Sequence, residues 1–192
     1  MDDFTKHLQQ ILLAQEPGIR TDWDARLAAV LIPLYSYEDS WHVLFTKRTD
    51  KVEEHRGQVS FPGGIIEPDD DDSESAALRE TQEEIGIDPV DVKILGRLDS
   101  LLTTTQFQIV PIVGVIPWPC ELTLNPMEVA SVFGVPLDWL SDPAHLESHF
   151  LEAPESSPHF PIYAFKPYQG EIIWGATARI TSDLLQLLAL LK

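Results

Sequence analysis

The sequence predicts an α/β fold, an α/β/α sandwich layered around a mixed β-sheet. Three observations predict it: short apolar runs of strand character recur from residue 26 to residue 174, one stretch without proline or glycine interrupts them at 75–85, and helical stripes flank them at both ends. With 192 residues and 44% hydrophobic content, the chain is long enough for one domain with a sizeable core, and 1–192 is expected to be that domain. No internal repeat is apparent.

Phe4, Leu8, Ile11 and Leu12 recur at helical spacing, which predicts an amphipathic helix over 1–16 whose stripe packs on the domain or on a partner. An apolar run at 26–35, broken by Pro33, and a second at 41–48 read as strands joined by a hairpin through 36–40. A charged loop over 49–56, with Glu53, Glu54, His55 and Arg56, leads into a short strand at 58–61 and then Pro62-Gly63-Gly64. Missing side chains there let backbone approach a phosphate or a metal closely. The acidic run 69–72 lacks the spacing of a calcium loop and reads as a solvated turn. Ser73 follows as the expected N-cap of a helix that stops at Gly86.

Strands are expected at 92–102 and 107–116 around the polar turn 103–106, with Pro117 and Pro119 ending the second. Residues 127–135 lead into a short helical turn at 136–140. The segment 141–158, rich in Pro, Ser, Glu and His without periodicity, reads as a mobile excursion or partner-facing loop. Strand-like pieces follow at 160–165 and 171–174. Ile180, Leu184, Leu187, Leu188 and Leu191 then mark a helix over 178–191, covering the sheet or extending into a homodimer interface.

Thirteen basic against 31 acidic residues give a formal charge of −18, which argues against binding nucleic acid or an anionic membrane. Phosphorylated small molecules remain open to such a surface if metal ions mediate. The single Cys120 cannot close an intrachain disulfide and reads as a partly buried, unreactive thiol. An acidic N-terminus and the lack of an apolar run of roughly 20 residues lead to the expectation of a soluble, cytoplasmic protein.

The chemistry concentrates in the helix that follows Ser73 and stops at Gly86. At about 100° per residue Glu80, Glu83 and Glu84 share one face, with Leu78 and Ile85 roughly opposite. Like charges at these spacings repel, and a divalent cation removes that cost. Oxygen donors suit Mg²⁺ or Mn²⁺ better than zinc, which prefers His and Cys. Read alone, the cluster would be a charged outer face with Arg79 as counterion.

The surroundings change that reading. Arg79-Glu80-Thr81-Gln82-Glu83-Glu84-Ile85-Gly86-Ile87 resembles the core of the Nudix box, Arg-Glu-U-x-Glu-Glu-x-Gly-U with U a bulky aliphatic, departing only at Thr81. Counted from Gly64, the acidic position of the first half falls on Asp70 and Arg79 arrives one residue late. This longer loop, with Asp for Glu, resembles the coenzyme A pyrophosphatase branch of the Nudix hydrolases. Upstream, Leu44-Phe45-Thr46-Lys47-Arg48-Thr49 and Gly57-Gln58-Val59-Ser60-Phe61-Pro62-Gly63-Gly64 resemble that branch's signature LLTxR(S/A)x3Rx3Gx3FPGG, except that its middle arginine falls on Glu53.

The resemblance implies metal-dependent hydrolysis of the diphosphate of coenzyme A or a derivative, giving 3′,5′-ADP and 4′-phosphopantetheine products. It implies Glu80, Glu83, Glu84 and the Gly64 carbonyl as ligands of Mg²⁺ or Mn²⁺, and Arg79 as an internal partner orienting the glutamates. Glu83 and Glu128 are the candidate bases, and Arg48, Arg56 and Phe61 the candidate substrate contacts. Because Glu53 reverses a charge, a second reading is hydrolysis of another nucleoside diphosphate derivative, such as ADP-ribose or a dinucleotide. A third is a non-catalytic module that binds metal and nucleotide.

Overall fold

The structure is a computed structural model and describes residues 2–15, 18, 25–50, 57–150 and 161–189. Glu53, Glu54, His55, Arg56, Leu191 and most of the linker after the first helix lie outside the described residues.

Helix α1 (Asp3–Ala14) is capped by Asp2, whose carboxylate accepts from the Thr5 amide at 2.9 Å. Leu8 and Leu12 on its inner stripe are fully buried, so the stripe packs on the protein's own core. Strand β1 (Arg26–Tyr37) and β2 (Ser40–Arg48) form the expected hairpin, closed by Glu38 and Asp39 at φ 49° and 60°. Such a left-handed two-residue loop matches the twist of the strands it joins.

Pro33 interrupts the apolar run but not β1, which is one strand as expected. On one side it lies opposite Gly114; on the other it falls in the gap between β1's pairing with Gly63–Ile65 and its pairing with β2, which begins at Leu34. No ladder bond is lost where a partner is being exchanged.

Strands β3 (Val59–Ser60) and β4 (Gly63–Ile65) precede helix α2 (Ser73–Ile85). The strand expected at 92–102 is two pieces, β5 (Lys93–Arg97) and β6 (Leu101–Leu102), separated by residues 98–100. Strand β7 (Phe107–Val115) then runs parallel to β1 along its length. Residues 127–135, expected only as a lead-in, supply β8 (Val129–Pro136), antiparallel to β2, before the short helix α3 (Leu137–Leu140).

The excursion at 141–158 is partly regular. Its first half continues into β9 (Leu146–Phe150), which pairs with β10 (Pro161–Phe165) as a separate two-stranded sheet; 151–160 lie outside the described residues. Residues 171–174 form only single bridges to neighbouring chain, not a strand. Helix α4 (Gly175–Leu187) buries Ala178, Ile180, Thr181, Ser182, Leu184 and Leu185. It therefore covers the sheet.

The main sheet runs β3-β2-β1-β7-β5, with β4 added to β1, β6 to β7 and β8 to β2, and among the described residues only the β1–β7 pair is parallel. Its two faces carry separate cores. Ile32, Leu34, Phe45 and Val113 meet Leu8, Leu12, Ile180 and Leu184 on one side, while Ala29, Leu31, Leu44 and Ile112 meet Ala76, Ala77 and Ile85 on the other. Burial on both faces explains why β1 reads as a continuous apolar run rather than an alternating one. The result is the α/β/α sandwich around a mixed sheet. Among the described residues no helix is long and apolar enough to cross a membrane.

Candidate metal centre

Helix α2 starts one residue earlier than expected. Asp72, not Ser73, is the N-cap: its carboxylate accepts from the Ser75 amide at 2.8 Å, and Ser75 Oγ accepts from the Asp72 amide at 2.9 Å. Such a reciprocal pair satisfies two amide donors at once, and Ser73 becomes the first, buried helical residue. At the other end Gly86, at φ 78°, closes the helix in the left-handed region as expected.

The packing face of α2 differs from a simple polar–apolar split. Ala76, Ala77, Thr81, Glu84 and Ile85 are buried, while Leu78 is only half-buried. Short side chains let the helix lie close to β1 and β4. Thr81 tolerates an apolar site because its hydroxyl donates back to the Ala77 carbonyl at 2.6 Å. Glu84 is thereby turned inward, with a side chain 3% exposed.

Three carboxylates converge there: Glu80, Glu84 and Glu128 each offer an oxygen within 4.8 Å of the others. Glu83 is not among them. Its side chain is 56% exposed and meets Arg79 Nη1 at 3.4 Å. The trio expected from the helix alone, Glu80 with Glu83 and Glu84, is therefore not the trio that the fold brings together. A helix surface places Glu83 and Glu84 a full 100° apart, and only Glu84 turns toward the sheet.

Glu128 arrives by a route that local pattern cannot show. The chain after α2 docks on the helix end, where the amides of Thr123 and Asn125 donate to the carbonyls of Ile85 (3.0 Å) and Glu84 (2.9 Å). Asn125 Nδ2 then donates to Glu128 Oε1 at 2.9 Å, and the Thr49 amide donates to the Glu128 carbonyl at 2.9 Å. Asn125 was not singled out from the sequence; its one signal is the turn-forming Asn125-Pro126 pair.

The glycine pair has two distinct jobs. A Cβ on Gly63 would lie 2.3 Å from the Ala29 carbonyl oxygen, at a φ of +151°; one on Gly64 would lie 2.5 Å from the Glu80 carboxylate. Gly63 lets β4 close on β1, and Gly64 leaves room for Glu80. The predicted ligand Gly64 thus sits directly against a member of the cluster.

Arg79 behaves as an internal clamp. Its Nε and Nη2 each donate to Asp70 at 3.0 Å, Nη1 donates to Glu80 at 2.9 Å, and Nη2 also reaches the Ile65 carbonyl at 3.2 Å. The acidic turn is accordingly not wholly solvated, since the Asp70 side chain is only 5% exposed. The hydrogen bonds from Arg79 hold the Asp70 carboxyl below its usual range, and donating to Asp70 and Glu80 pushes the Arg79 guanidinium up.

Burial pushes Glu84 up to about 8; Arg48 opposes that shift, whereas Glu128 and Glu80 add to it and the Gly63 amide opposes it. Desolvation also raises Glu80, against the pull of Arg79. Arg48 Nη1 lies 3.7 Å from Glu84 Oε1, and Arg48 Nε and Glu84 Oε2 are buried without a hydrogen-bond partner among the described residues. A donor set of carboxylates alone, with one buried oxygen unmet, fits a hard divalent cation.

Of the candidate substrate contacts, Arg48 borders the cluster and Arg56 lies outside the described residues. Phe61 requires a correction. It is 3% exposed and stacked on Phe45 at 5.1 Å between ring centroids, so its ring belongs to the core and offers no surface to a ligand.

Residues 25–154 match the NUDIX domain family. A protein of Photorhabdus laumondii, named as the uncharacterized Nudix hydrolase NudL, is 37% identical over 187 residues, 97% of this chain and 96% of its own. Another of the same name from Enterobacter is 36% identical over 184 residues, 96% of this chain and 92% of its own. Among solved structures, a NUDIX hydrolase from Alicyclobacillus acidocaldarius aligns over 63% of this chain and 83% of its own, with a TM-score of 0.52 and 22% identity. A MutT/nudix family protein from Enterococcus faecalis aligns over 97% of this chain and 75% of its own, with a TM-score of 0.52 and 16% identity; both likenesses concern the fold. With its glutamates gathered beside the glycine pair and a family match over most of its length, the chain belongs to the Nudix hydrolases.

Proposed function

We propose that this Nudix hydrolase cleaves the diphosphate of coenzyme A or one of its derivatives, in the cytoplasm, to 3′,5′-ADP and a 4′-phosphopantetheine product. The observation that carries metal-dependent diphosphate hydrolysis is the convergence of Glu80, Glu84 and Glu128 within 4.8 Å. Support for the coenzyme A branch comes from the upstream signature ending at Gly64. It comes also from the longer loop, whose late-arriving Arg79 still meets Asp70 through two bonds of 3.0 Å.

Glu80, Glu84 and Glu128, with the Gly64 carbonyl, would hold Mg²⁺ or Mn²⁺. When bound, such an ion supplies charge neutralisation of the diphosphate and acidification of water. Arg79 fixes Glu80 while Asp70 fixes Arg79, so the ligands are set before substrate arrives. Glu83 is exposed beside Arg79 and takes the role of proton acceptor for the attacking water. Arg48 and Arg56 meet the negative charge of the substrate. Water adds to one phosphorus, the bridging oxygen leaves with the other phosphate, and two phosphomonoesters result.

The test is a Mg²⁺/Mn²⁺ assay over coenzyme A, acyl-coenzyme A, ADP-ribose, NADH and nucleoside triphosphates, with products identified by mass. Coenzyme A compounds should be cut fastest, to the two products named. Faster cleavage of ADP-ribose would overturn the branch and leave the hydrolase; saturable binding without any product would favour a non-catalytic module.

A further inference from the structure

Arg48 ends β2 where the register with β8 shifts between Lys47 and Arg48. Such irregularities re-aim a side chain. The guanidinium comes to rest beside Glu84, but the contact is loose: 3.7 Å is too long for a hydrogen bond. Among the described residues each partner also keeps one buried atom unmet, Nε on the arginine and Oε2 on the glutamate. Elsewhere in the site the carboxylates are held closely, as at Arg79–Glu80 (2.9 Å) and Asn125–Glu128 (2.9 Å).

A buried polar atom without a partner is costly, and two facing one ion pair mark an arrangement that something else completes. Oε2 is an acceptor and can take a cation, and Nε–H is a donor and can take an anionic oxygen. A divalent cation carrying a diphosphate brings both.

We propose that Arg48 exchanges partners during binding, yielding Glu84 to the cation and donating from Nε to a phosphate oxygen of the substrate. This rests on the proposed diphosphate-hydrolase reading and adds to it the residue that couples cation and phosphate binding. Arg48 is then the anion-binding half of a site whose other half is the carboxylate trio.

The test uses the full-length protein and the variants Arg48→Met and Arg48→Lys, the second keeping the charge but lacking Nε. Inorganic pyrophosphate binding is measured by calorimetry in excess Mg²⁺, and Mn²⁺ binding alone by electron paramagnetic resonance. Arg48→Met should weaken pyrophosphate at least about tenfold and raise KM more than it lowers kcat, with Mn²⁺ affinity changed less than about threefold. Arg48→Lys, expected to fold even if Arg48→Met does not, should lose pyrophosphate affinity severalfold.

Unchanged pyrophosphate affinity in both variants would overturn the exchange. So would a fall in Mn²⁺ affinity as large as the fall in pyrophosphate affinity, since Arg48 would then act only through Glu84. Failure of the wild-type protein to cleave any diphosphate would instead strike the underlying hydrolase reading, which separates the two.

Discussion

Asp70 accepts from both Nε and Nη2 of Arg79 at 3.0 Å, so that one carboxylate fixes the plane of a guanidinium whose remaining nitrogen reaches Glu80 at 2.9 Å. Asp70→Asn should lower stability by about 1 kcal/mol and loosen Glu80. For a chain of this size that is a melting temperature lower by ~2–4 °C. Because Asp70 titrates below its usual range when folded, its contribution is present above the ordinary carboxylate range and is lost as pH falls through the lowered value. Thermal melts against pH should therefore show a shallower acid limb in the variant than in the wild type.

Glu84→Gln should reduce turnover at least about a hundredfold while leaving the protein folded, as measured in the Mg²⁺ assay. The variant also has a pH signature. Burial moves the Glu84 carboxyl from 4.5 to about 8, so between those values the folded metal-free protein holds a proton that the unfolded chain has lost. Stability must then fall as pH rises across that window and level off above it. Glu84→Gln should flatten this slope, and Mn²⁺ affinity of the wild type should climb from pH 6 to 8 as the proton is displaced.

The two glycines should separate folding from function. Gly63→Ala places a Cβ 2.3 Å from backbone at a φ of +151°, and is expected to cost at least ~3 kcal/mol in denaturant melts. Gly64→Ala meets only the end of a flexible side chain, Glu80, at 2.5 Å. It should cost less than about 1 kcal/mol but weaken Mn²⁺ binding about tenfold, because the carboxylate must move aside.

Phe61→Leu tests the reassignment of that ring to the core. Its loss of the stack on Phe45 should lower stability by about 1–1.5 kcal/mol and leave KM unchanged. A raised KM at unchanged stability would return Phe61 to the substrate.

Helix α2, its stop at Gly86, the β1–β2 hairpin and the glycine pair were legible because each is written in a few adjacent residues. The family itself was legible for the same reason, through the run from Arg79 to Ile87. What could not be read depends on residues far apart in the chain. Strand β8 carries no clean alternation, since β2 covers one edge and its faces are mixed in burial. Glu84 looks equivalent to Glu83 on a helical projection, and only the sheet beneath distinguishes them. Phe61 stands in a motif next to the glycines, yet its neighbour in space is Phe45, across the β2–β3 pairing.

The docking of the segment from Thr123 to Glu128 on the last carbonyls of α2, and of Thr49 on Glu128, has a consequence for assembly. The acidic trio spans residues 80 to 128, so a tight cation site cannot precede closure of these long-range contacts. Any ion that occupies it selects the finished structure by mass action, and its occupancy is a gauge of how much of the population has completed folding.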